Sequence, residues 1–396
     1  MAQPVAHPLH AERVATTTIT RRFGSIATFG ALCAALAAPG CSDAGDGTQS
    51  GGGQTGATTS GTTTGTTGAG GAGVGGAGSG GAGGSSATGG GPPADPCDFP
   101  STTTVDVSDA AGLLAALEAA TPDTMIRLAA GIYAGHFEAA ATGAEGQPIV
   151  VCGPREAILD GGSTGYVFHL TADHYVLSGF TVMNGQKGVM LDGADDNLLI
   201  GLSVSQIGQE AVHFRTHSRR NTLAWSEIRD AGLSSPGFGE GVYVGSAKSN
   251  WEAITGSADT PDESNDNRIL HNELGPGIAA EHIDIKEGTT GGEVRGNTFH
   301  GEGISGANFA DSWIDVKGNG WLIAGNVGTD SPKDGFQTHV HLDGWGNNNV
   351  FEGNVATVNG PGHGFWIDGD ATGNVVRCDN QVSAADAGFA NVECVD

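Results

Sequence analysis

The sequence feature that most constrains the fold is a short phrase that occurs twice. Residues 282–286 read HIDIK, and residues 313–317 read WIDVK, 31 positions later. Each copy alternates apolar and polar residues, which is typical of a β-strand with one buried face. A strand motif that recurs at a near-constant offset indicates a solenoid, in which successive strands stack about 4.8 Å apart.

The same pair of apolar positions recurs along much of the chain, which extends the solenoid in both directions. Offsets between successive pairs vary from 23 to 41 residues, as loops of different length between fixed strands would produce. The predicted inward pairs are Val189/Leu191, Val212/Phe214, Val242/Val244, Ile283/Ile285, Ile314/Val316, Val340/Leu342 and Phe365/Ile367. Asparagines also recur between these strands and predict stacked amide ladders at tight turns; they are Asn197, Asn221, Asn267, Asn349 and Asn374, with a second set at Asn272, Asn297, Asn326, Asn354 and Asn380.

Both ends of the solenoid carry features that would close it. Residues 108–120 predict a short helix with Ser108 as its N-cap, and this helix would cover the open N-terminal edge. Cysteines lie near both ends of the region, and disulfides are the default in an exported protein. Three pairings are possible, of which sequence proximity favours Cys97–Cys152 and Cys378–Cys394.

The N-terminal part of the chain predicts export. Residues 1–41 read as a signal peptide, and Ala38-Pro-Gly-Cys41 resembles a bacterial lipoprotein box with Cys41 as the lipidated residue. The alternative is simple cleavage near Ala38 and a soluble secreted protein. Residues 42–96, almost all Gly, Thr, Ser and Ala, predict a disordered linker before a β-helix domain at 97–396. We expect a monomer whose membrane contact is at most this lipid anchor.

Side-chain alternation predicts which residues the solenoid turns outward. The central coils would crowd titratable and aromatic side chains into one strip, whereas the end coils carry Gly, Met or isolated Asp there. The predicted catalytic residues of this strip are His213, Arg215, Tyr243, Asp284, Lys286, Asp315 and Lys317, and the predicted substrate-binding residues are His282, Trp313, His339, His341, Asp343 and Trp366. Glu210, Glu240 and Glu281 recur just before three adjacent strands and would either form an acidic metal-binding edge or cap turns.

Net charge narrows the classes of partner. The formal charge of −27 argues against nucleic acid, since phosphate binding requires basic surface. It also means that an acidic substrate would need local cations or a bound metal.

Repeated short strands, asparagine turns and an N-terminal capping helix resemble the right-handed parallel β-helix of the pectate-lyase-like superfamily, over roughly residues 103–395. The segment 281–286, EHIDIK, is similar to the chondroitinase B and alginate lyase family, in which a Glu…Ile…Lys segment supplies Ca²⁺ ligands and a lysine base. The resemblance implies Lys286 as base, Glu281 as a calcium ligand and Lys317 in the place of that family's arginine. It implies no organic cofactor.

These residues suit β-elimination from an acidic polysaccharide. Lys286 would be the base if the nearby Lys317 ammonium lowered its pKa. Lys317 and Arg215 would neutralise the uronate carboxylate, Tyr243 or His213 would protonate the leaving oxygen, and the two aspartates would hold a cation or orient the lysines. The alternatives are a glycoside hydrolase using Asp284 and Asp315, a uronate C5-epimerase, and a non-catalytic polysaccharide-binding surface protein.

Overall fold

The computed structural model describes residues 91–396; the predicted signal peptide, Cys41 and the linker up to residue 90 lie outside the described residues. In residues 91–396 the chain winds through three sheets, and strands of successive coils pair in parallel. The prediction of an all-β, right-handed parallel β-helix with an N-terminal helix is confirmed. Within this range no helix is long and apolar enough to span a membrane.

Each sheet collects one strand from almost every coil, and the strands are numbered in chain order. Sheet 1 contains β1 (Thr103–Val107), β2 (Thr124–Leu128), β5 (Ile149–Cys152), β8 (Tyr175–Ser178), β11 (Leu198–Ile200), β14 (Thr222–Ala224), β17 (Arg268–Leu270), β20 (Glu293–Arg295), β23 (Leu322–Ala324), β26 (Val350–Glu352) and β29 (Val375–Val376). Sheet 2 contains β4 (Phe137–Ala139), β7 (Tyr166–Leu170), β10 (Lys187–Asp192), β13 (Val212–Arg215), β16 (Val242–Val244), β19 (Ile283–Ile285), β22 (Ile314–Val316), β25 (Phe336–Thr338), β28 (His363–Ile367) and β31 (Gly388–Ala390). Sheet 3 contains β3 (Gly131–Ala134), β6 (Ala157–Asp160), β9 (Thr181–Met183), β12 (Ser203–Ser205), β15 (Glu227–Ile228), β18 (Glu273–Leu274), β21 (Thr298–His300), β24 (Val327–Thr329), β27 (Val355–Gly360) and β30 (Gln381–Ala385).

The helices are short and lie outside the sheets. They are α1 (Ala110–Ala119), α2 (Trp251–Thr255) and three 3₁₀ turns at Pro236–Phe238, Lys248–Asn250 and Ala307–Phe309. Helix α1 packs Leu113 and Leu117 against the end of the core, as expected for a cap. Its N-cap is Asp109 rather than the predicted Ser108, because the Asp109 carboxylate accepts the backbone N–H of Gly112.

Register in sheet 2 follows the predicted inward pairs except in one coil. Val189, Val212, Val242, Ile283 and Ile314 align in succession, but the next coil aligns Phe336, not Val340, with Ile314. Thr338 takes the second inward position of that coil, where its hydroxyl accepts the N–H of Asp368 at 3.1 Å. The prediction of Val340/Leu342 as an inward pair was therefore wrong by four residues.

Two amide ladders and two disulfides hold the coils together. Asn272, Asn297, Asn326 and Asn354 each donate a side-chain N–H to the next asparagine at 3.0, 3.0, 3.0 and 2.9 Å. The predicted disulfides are also present: Cys97 bonds Cys152 and Cys378 bonds Cys394. Each disulfide thus lies toward one end of the solenoid, as predicted.

Candidate active site

Sheet 2 presents three outward columns, each made of one side chain from successive coils. There are three because the strands have only three to six residues, so a bend before and a bend after each strand add an outward side chain to the one in its middle. The start column, two residues before the first inward residue, contains Lys187, Glu210, Glu240, Glu281, Ser312, Asp334 and His363. The middle column contains His169, Met190, His213, Tyr243, Asp284, Asp315, Gln337 and Trp366. The end column contains Asp192, Arg215, Gly245, Lys286, Lys317, His339 and Asp368.

A charge cluster occupies the centre of these columns. Asp284 accepts Lys317 Nζ on one oxygen and Lys286 Nζ on the other, both at 2.8 Å. Lys317 Nζ also lies 3.2 Å from Asp315 Oδ2. Asp284, Asp315 and Lys317 are buried, whereas the side chain of Lys286 keeps 13% of its surface exposed. These are therefore buried, shared ion pairs rather than two separate pairs in solvent.

The protonation states of the two lysines follow from the carboxylate that they share. Burial opposes the charge on Lys286, but the Asp284 carboxylate, together with Glu287 and Glu240, outweighs burial and raises the pKa of the ammonium. The same balance raises the pKa of Lys317. The condition that the pKa of Lys286 be lowered is therefore not met, because the carboxylates of Asp284, Glu287 and Glu240 favour the charged ammonium more than burial opposes it.

The two aspartates are correspondingly ionised. Burial would raise their pKa, but Lys286 and Lys317 hold the pKa of Asp284 below its usual value. Lys317 and then His339 have the same effect on Asp315. A glycosidase of two carboxyl groups needs one with a raised pKa to serve as general acid, so this pair does not suit the hydrolase alternative.

Two carboxyl groups of the start column, Glu240 and Glu281, have a raised pKa instead. Burial, together with the charges of Glu210 and Asp284, raises the pKa of Glu240 to about 8. Burial and Asp315 raise that of Glu281 well above its ordinary value. One oxygen of the neighbouring Glu210 lies 2.7 Å from Lys187 Nζ.

Three of these acidic side chains meet in a way that suits a metal ion. Oxygens of Glu240, Glu281 and Asp284 all lie within 4.8 Å of one another, and Glu240 Oε2 is buried without a hydrogen-bond partner. Carboxylate oxygens are the donors that Ca²⁺ prefers. The donor set therefore fits Ca²⁺, with Glu240 and Glu281 as the available ligands, since both Asp284 oxygens already accept lysines. Glu210, predicted as a third ligand, is paired with Lys187 instead.

Tyr243 and His213 lie on the N-terminal side of the cluster. The Tyr243 ring has Lys286 Nζ 5.1 Å from its centroid and meets the His213 ring edge-on at 4.5 Å. Burial and the Asp284 charge raise the pKa of Tyr243 well above its usual value, so it carries its proton at neutral pH. His213 is buried, donates Nε2–H to Gly245 O at 2.8 Å and has a lowered pKa caused first by burial. Tyr243 is thus the partly exposed proton donor of the two.

Arg215 belongs to a separate network. Its guanidinium donates to both oxygens of Asp192, at 2.6 and 3.0 Å, and to the Tyr166 hydroxyl at 3.1 Å. Asp192 also lies 2.9 Å from His169 Nε2. Because the Arg215 guanidinium already donates to Asp192 and Tyr166, its main role is to connect neighbouring coils rather than to bind a substrate carboxylate.

Two predicted substrate-binding residues are buried instead. His282 and Trp313 are fully inaccessible because they lie at the bend before their strands, where side chains turn into the solenoid. His282 Nε2 donates to His300 O at 2.9 Å. Trp313 packs edge-on against Phe336, over Gly328 and Gly335, where any added Cβ would collide with its ring. The prediction that they touch substrate was wrong.

The corrected register divides the four remaining predicted substrate-binding residues into two on the outward columns and two on a turn. His339 falls in the end column, 3.5 Å from Asp315 and within 2.8 Å of Gln337 Oε1, and its ring lies 5.1 Å from that of Trp366. Trp366 keeps its predicted outward place. His341 and Asp343 lie on the exposed turn after β25, not on the strand. Gln337 is the residue that sequence reasoning missed, and aligning Phe336 with Ile314 would have found it.

Loops on both sides border the columns. On the end-column side, residues 245–263 are held by Asp262, whose buried carboxylate accepts the N–H groups of Thr216 and His217 and the Ser246 hydroxyl at 3.0, 2.8 and 2.7 Å. Residues 232–239 and 301–312 lie on the start-column side. The columns therefore lie between loops on both sides, and we call the space between these loops the groove and the columns its floor.

Comparison with solved structures decides the family. An alginate lyase from Paenibacillus sp. str. FPU-7 is 38% identical, with a TM-score of 0.69, and the match covers 73% of this chain and 99% of that one. The chain belongs to the same family as this lyase. It is thus a parallel β-helix polysaccharide lyase by family.

More distant structures share the fold. Pectate lyase Pel9A is 15% identical with a TM-score of 0.51, over 76% of this chain and 84% of that one. A rhamnogalacturonan lyase is 13% identical with a TM-score of 0.50, over 70% and 83%. No protein-family model matches the sequence, and no curated protein matches it either.

Proposed function

We propose that the protein is an exported lyase that cleaves a uronic-acid-containing polysaccharide by β-elimination, with alginate as the first substrate to test. The observation that carries the proposal is the cluster of Asp284, Lys286 and Lys317 beside Tyr243 on the groove floor. The 38% identity to an alginate lyase supports it. Export, by secretion or by a lipid on Cys41, is part of the proposal.

The reaction needs a base at C5 of the uronate and an acid at the leaving O4. Lys286 in its neutral amine form takes the C5 proton, and the electrons form the C4–C5 double bond as the C4–O4 bond breaks. Tyr243 gives its hydroxyl proton to O4. The Lys286 ammonium, 5.1 Å from the tyrosine ring, then returns a proton to the phenolate. Lys317 stays charged and stabilises the developing negative charge on the uronate.

Calcium enters the proposal through Glu240 and Glu281. A bound Ca²⁺ would supply positive charge near the uronate carboxylate, which acidifies the adjacent C–H. Glu240 and Glu281 would hold it, and the excess of buried acidic over basic groups in the start column favours it.

The test is ultraviolet absorbance of the unsaturated product, with purified residues 91–396 and a panel of uronic acid polymers, with and without Ca²⁺. We expect a rise with at least one polymer and its loss in Lys286→Ala. Lys333→Ala, a change at a half-exposed lysine in the bend before β25, is the matched control and should keep most of the activity. New reducing ends without absorbance would point to a hydrolase, and C5 proton exchange without cleavage to an epimerase.

A further inference from the structure

Three successive coils join their loops into one wall on the start-column side of the groove. Ser305 donates both its N–H and its hydroxyl to Ala279 O, each at 2.8 Å. The Asn308 side chain donates to Gly237 O at 3.2 Å. The 3₁₀ turns Pro236–Phe238 and Ala307–Phe309 therefore touch, although the coil of β19 lies between the coils that carry them.

This wall exposes large apolar side chains. Phe309 has 67% of its surface exposed, Leu233 63% and Phe238 44%. Exposed large apolar groups that cluster on a monomer mark interaction surfaces more often than chance. Along the chain Phe238 lies two residues before Glu240, and Phe309 three before Ser312, so the wall rises directly from the start column.

The backbone under Phe309 is unusual. Asn308 and Phe309 both have left-handed φ angles, 54° and 67°. Asparagine adopts this region readily, but a bulky phenylalanine does so at a cost. Such strain persists where surrounding contacts impose it, and it concentrates at ligand clamps. The Phe309 ring on this strained backbone is 67% exposed.

We propose that Phe238 and Phe309 form an aromatic platform that binds a sugar ring of the polysaccharide at the rim of the groove. The inference rests on the proposed function for the class of ligand. Aromatic rings suit this role because the C–H face of a pyranose ring is apolar, and a neutral ring does not repel a polyanion as the net charge of −27 does. The platform borders the start column of the same floor whose end column contains Lys286.

The test compares Phe309→Ala and Phe238→Ala with Ile132→Ala, a control of equal exposure (67%) on sheet 3. Loss of a stacking face should raise KM for the polymer about tenfold with kcat within about twofold, equivalent to about 1.4 kcal/mol of binding. Phe309→Tyr keeps the ring and should restore KM. The Ile132 variant should match the unmodified protein.

Electrophoresis through gels containing the polymer measures binding without turnover, so the platform is tested even if no cleavage is found. Retardation that is lost in the two phenylalanine variants, with unchanged melting temperature, supports the platform. Unchanged retardation and KM overturn it. So does a dimer, detected by light scattering, that the phenylalanine variants dissociate while polymer binding stays the same, because the face would then bind a second copy.

Discussion

At the scale of single residues, the charge state of Lys286 is set by the carboxylate that contacts it. Because Asp284 raises its pKa, only a small fraction of Lys286 is neutral at pH 7. If Lys286 is the base, kcat/KM should rise with pH, by about tenfold per unit while the fold persists. Tyr243, whose pKa is also raised, keeps its proton over that range. Initial rates at constant ionic strength measure the profile.

A flat profile between about pH 6 and about pH 9 would contradict this assignment. Lys286 would then act only as a cation, and the base would be another group. The Lys286→Ala variant separates the two cases, since its residual rate shows whether the pH dependence belongs to this side chain.

Asp284 is expected to be essential for stability. Asp284→Asn leaves the buried Lys317 and the largely buried Lys286 without their shared partner, which should cost about 3–5 kcal/mol of unfolding free energy. Denaturant unfolding measures the loss. Asp343→Asn, on the exposed turn after β25, is the matched control and should change stability by less than about 0.5 kcal/mol. Equal stability of both variants would mean that the cluster relaxes into solvent.

The sequence predicted which residues share the floor better than it predicted their chemistry. Repetition of the strand motif placed Asp284, Asp315, Lys286 and Lys317 together, because side-chain alternation is fixed by strand geometry. Protonation depends on distances of a few tenths of an ångström among three buried charges and the largely buried Lys286, and alternation does not specify these distances. Trp313 was misplaced because its column lies at a bend, where alternation ends.

At the scale of elements, the asparagine ladder should contribute to the free energy of unfolding as the strands that it joins do. Asn297 accepts the N–H and the side-chain amide of Asn272, and donates to Ile269 O and Asn326. Asn297→Ala leaves several of these buried groups unsatisfied and should cost about 3 kcal/mol. Thermal or urea unfolding gives the value. Asn359→Gly, at an exposed position near the end of β27 where φ is left-handed (51°), is the control and should cost far less.

Strand β25 shows where element prediction failed. Residues 339–343 read HVHLD, an alternation that mimics a strand, whereas the true strand carries Thr338 at an inward position. A hydroxyl is tolerated there because the Asp368 N–H satisfies it at 3.1 Å. A local sequence pattern does not reveal a hydrogen-bond partner 30 residues away. The alignment of inward pairs therefore used the turn after β25 in place of β25 itself.

At the scale of the whole molecule, the network around Asp192 connects several coils of sheet 2. It also makes the free energy of unfolding depend on pH in the acidic range. Burial would raise the pKa of Asp192, but hydrogen bonds from His169 and Arg215 hold it well below its ordinary value. Since the pKa is lower in the folded state, the stabilisation is complete above the unfolded value of about 3.9 and is lost as pH falls further.

Asp192→Asn should therefore lower stability at neutral pH and flatten its decline in acid. Melting temperatures from about pH 7 to about pH 3 measure both effects. Parallel curves for the two proteins would show that the acid sensitivity arises from other carboxyl groups.

Variable loops between fixed strands have a consequence for how such a chain can change over generations. Insertions or deletions within residues 247–261 alter the loop on one side of the groove and leave every column in place. A single inserted residue within Ile283–Ile285 would instead turn Lys286 inward and an isoleucine outward. We expect length variation among natural relatives to be confined to the turns, so that preferences for different polymers diverge while the chemistry of the floor is inherited unchanged.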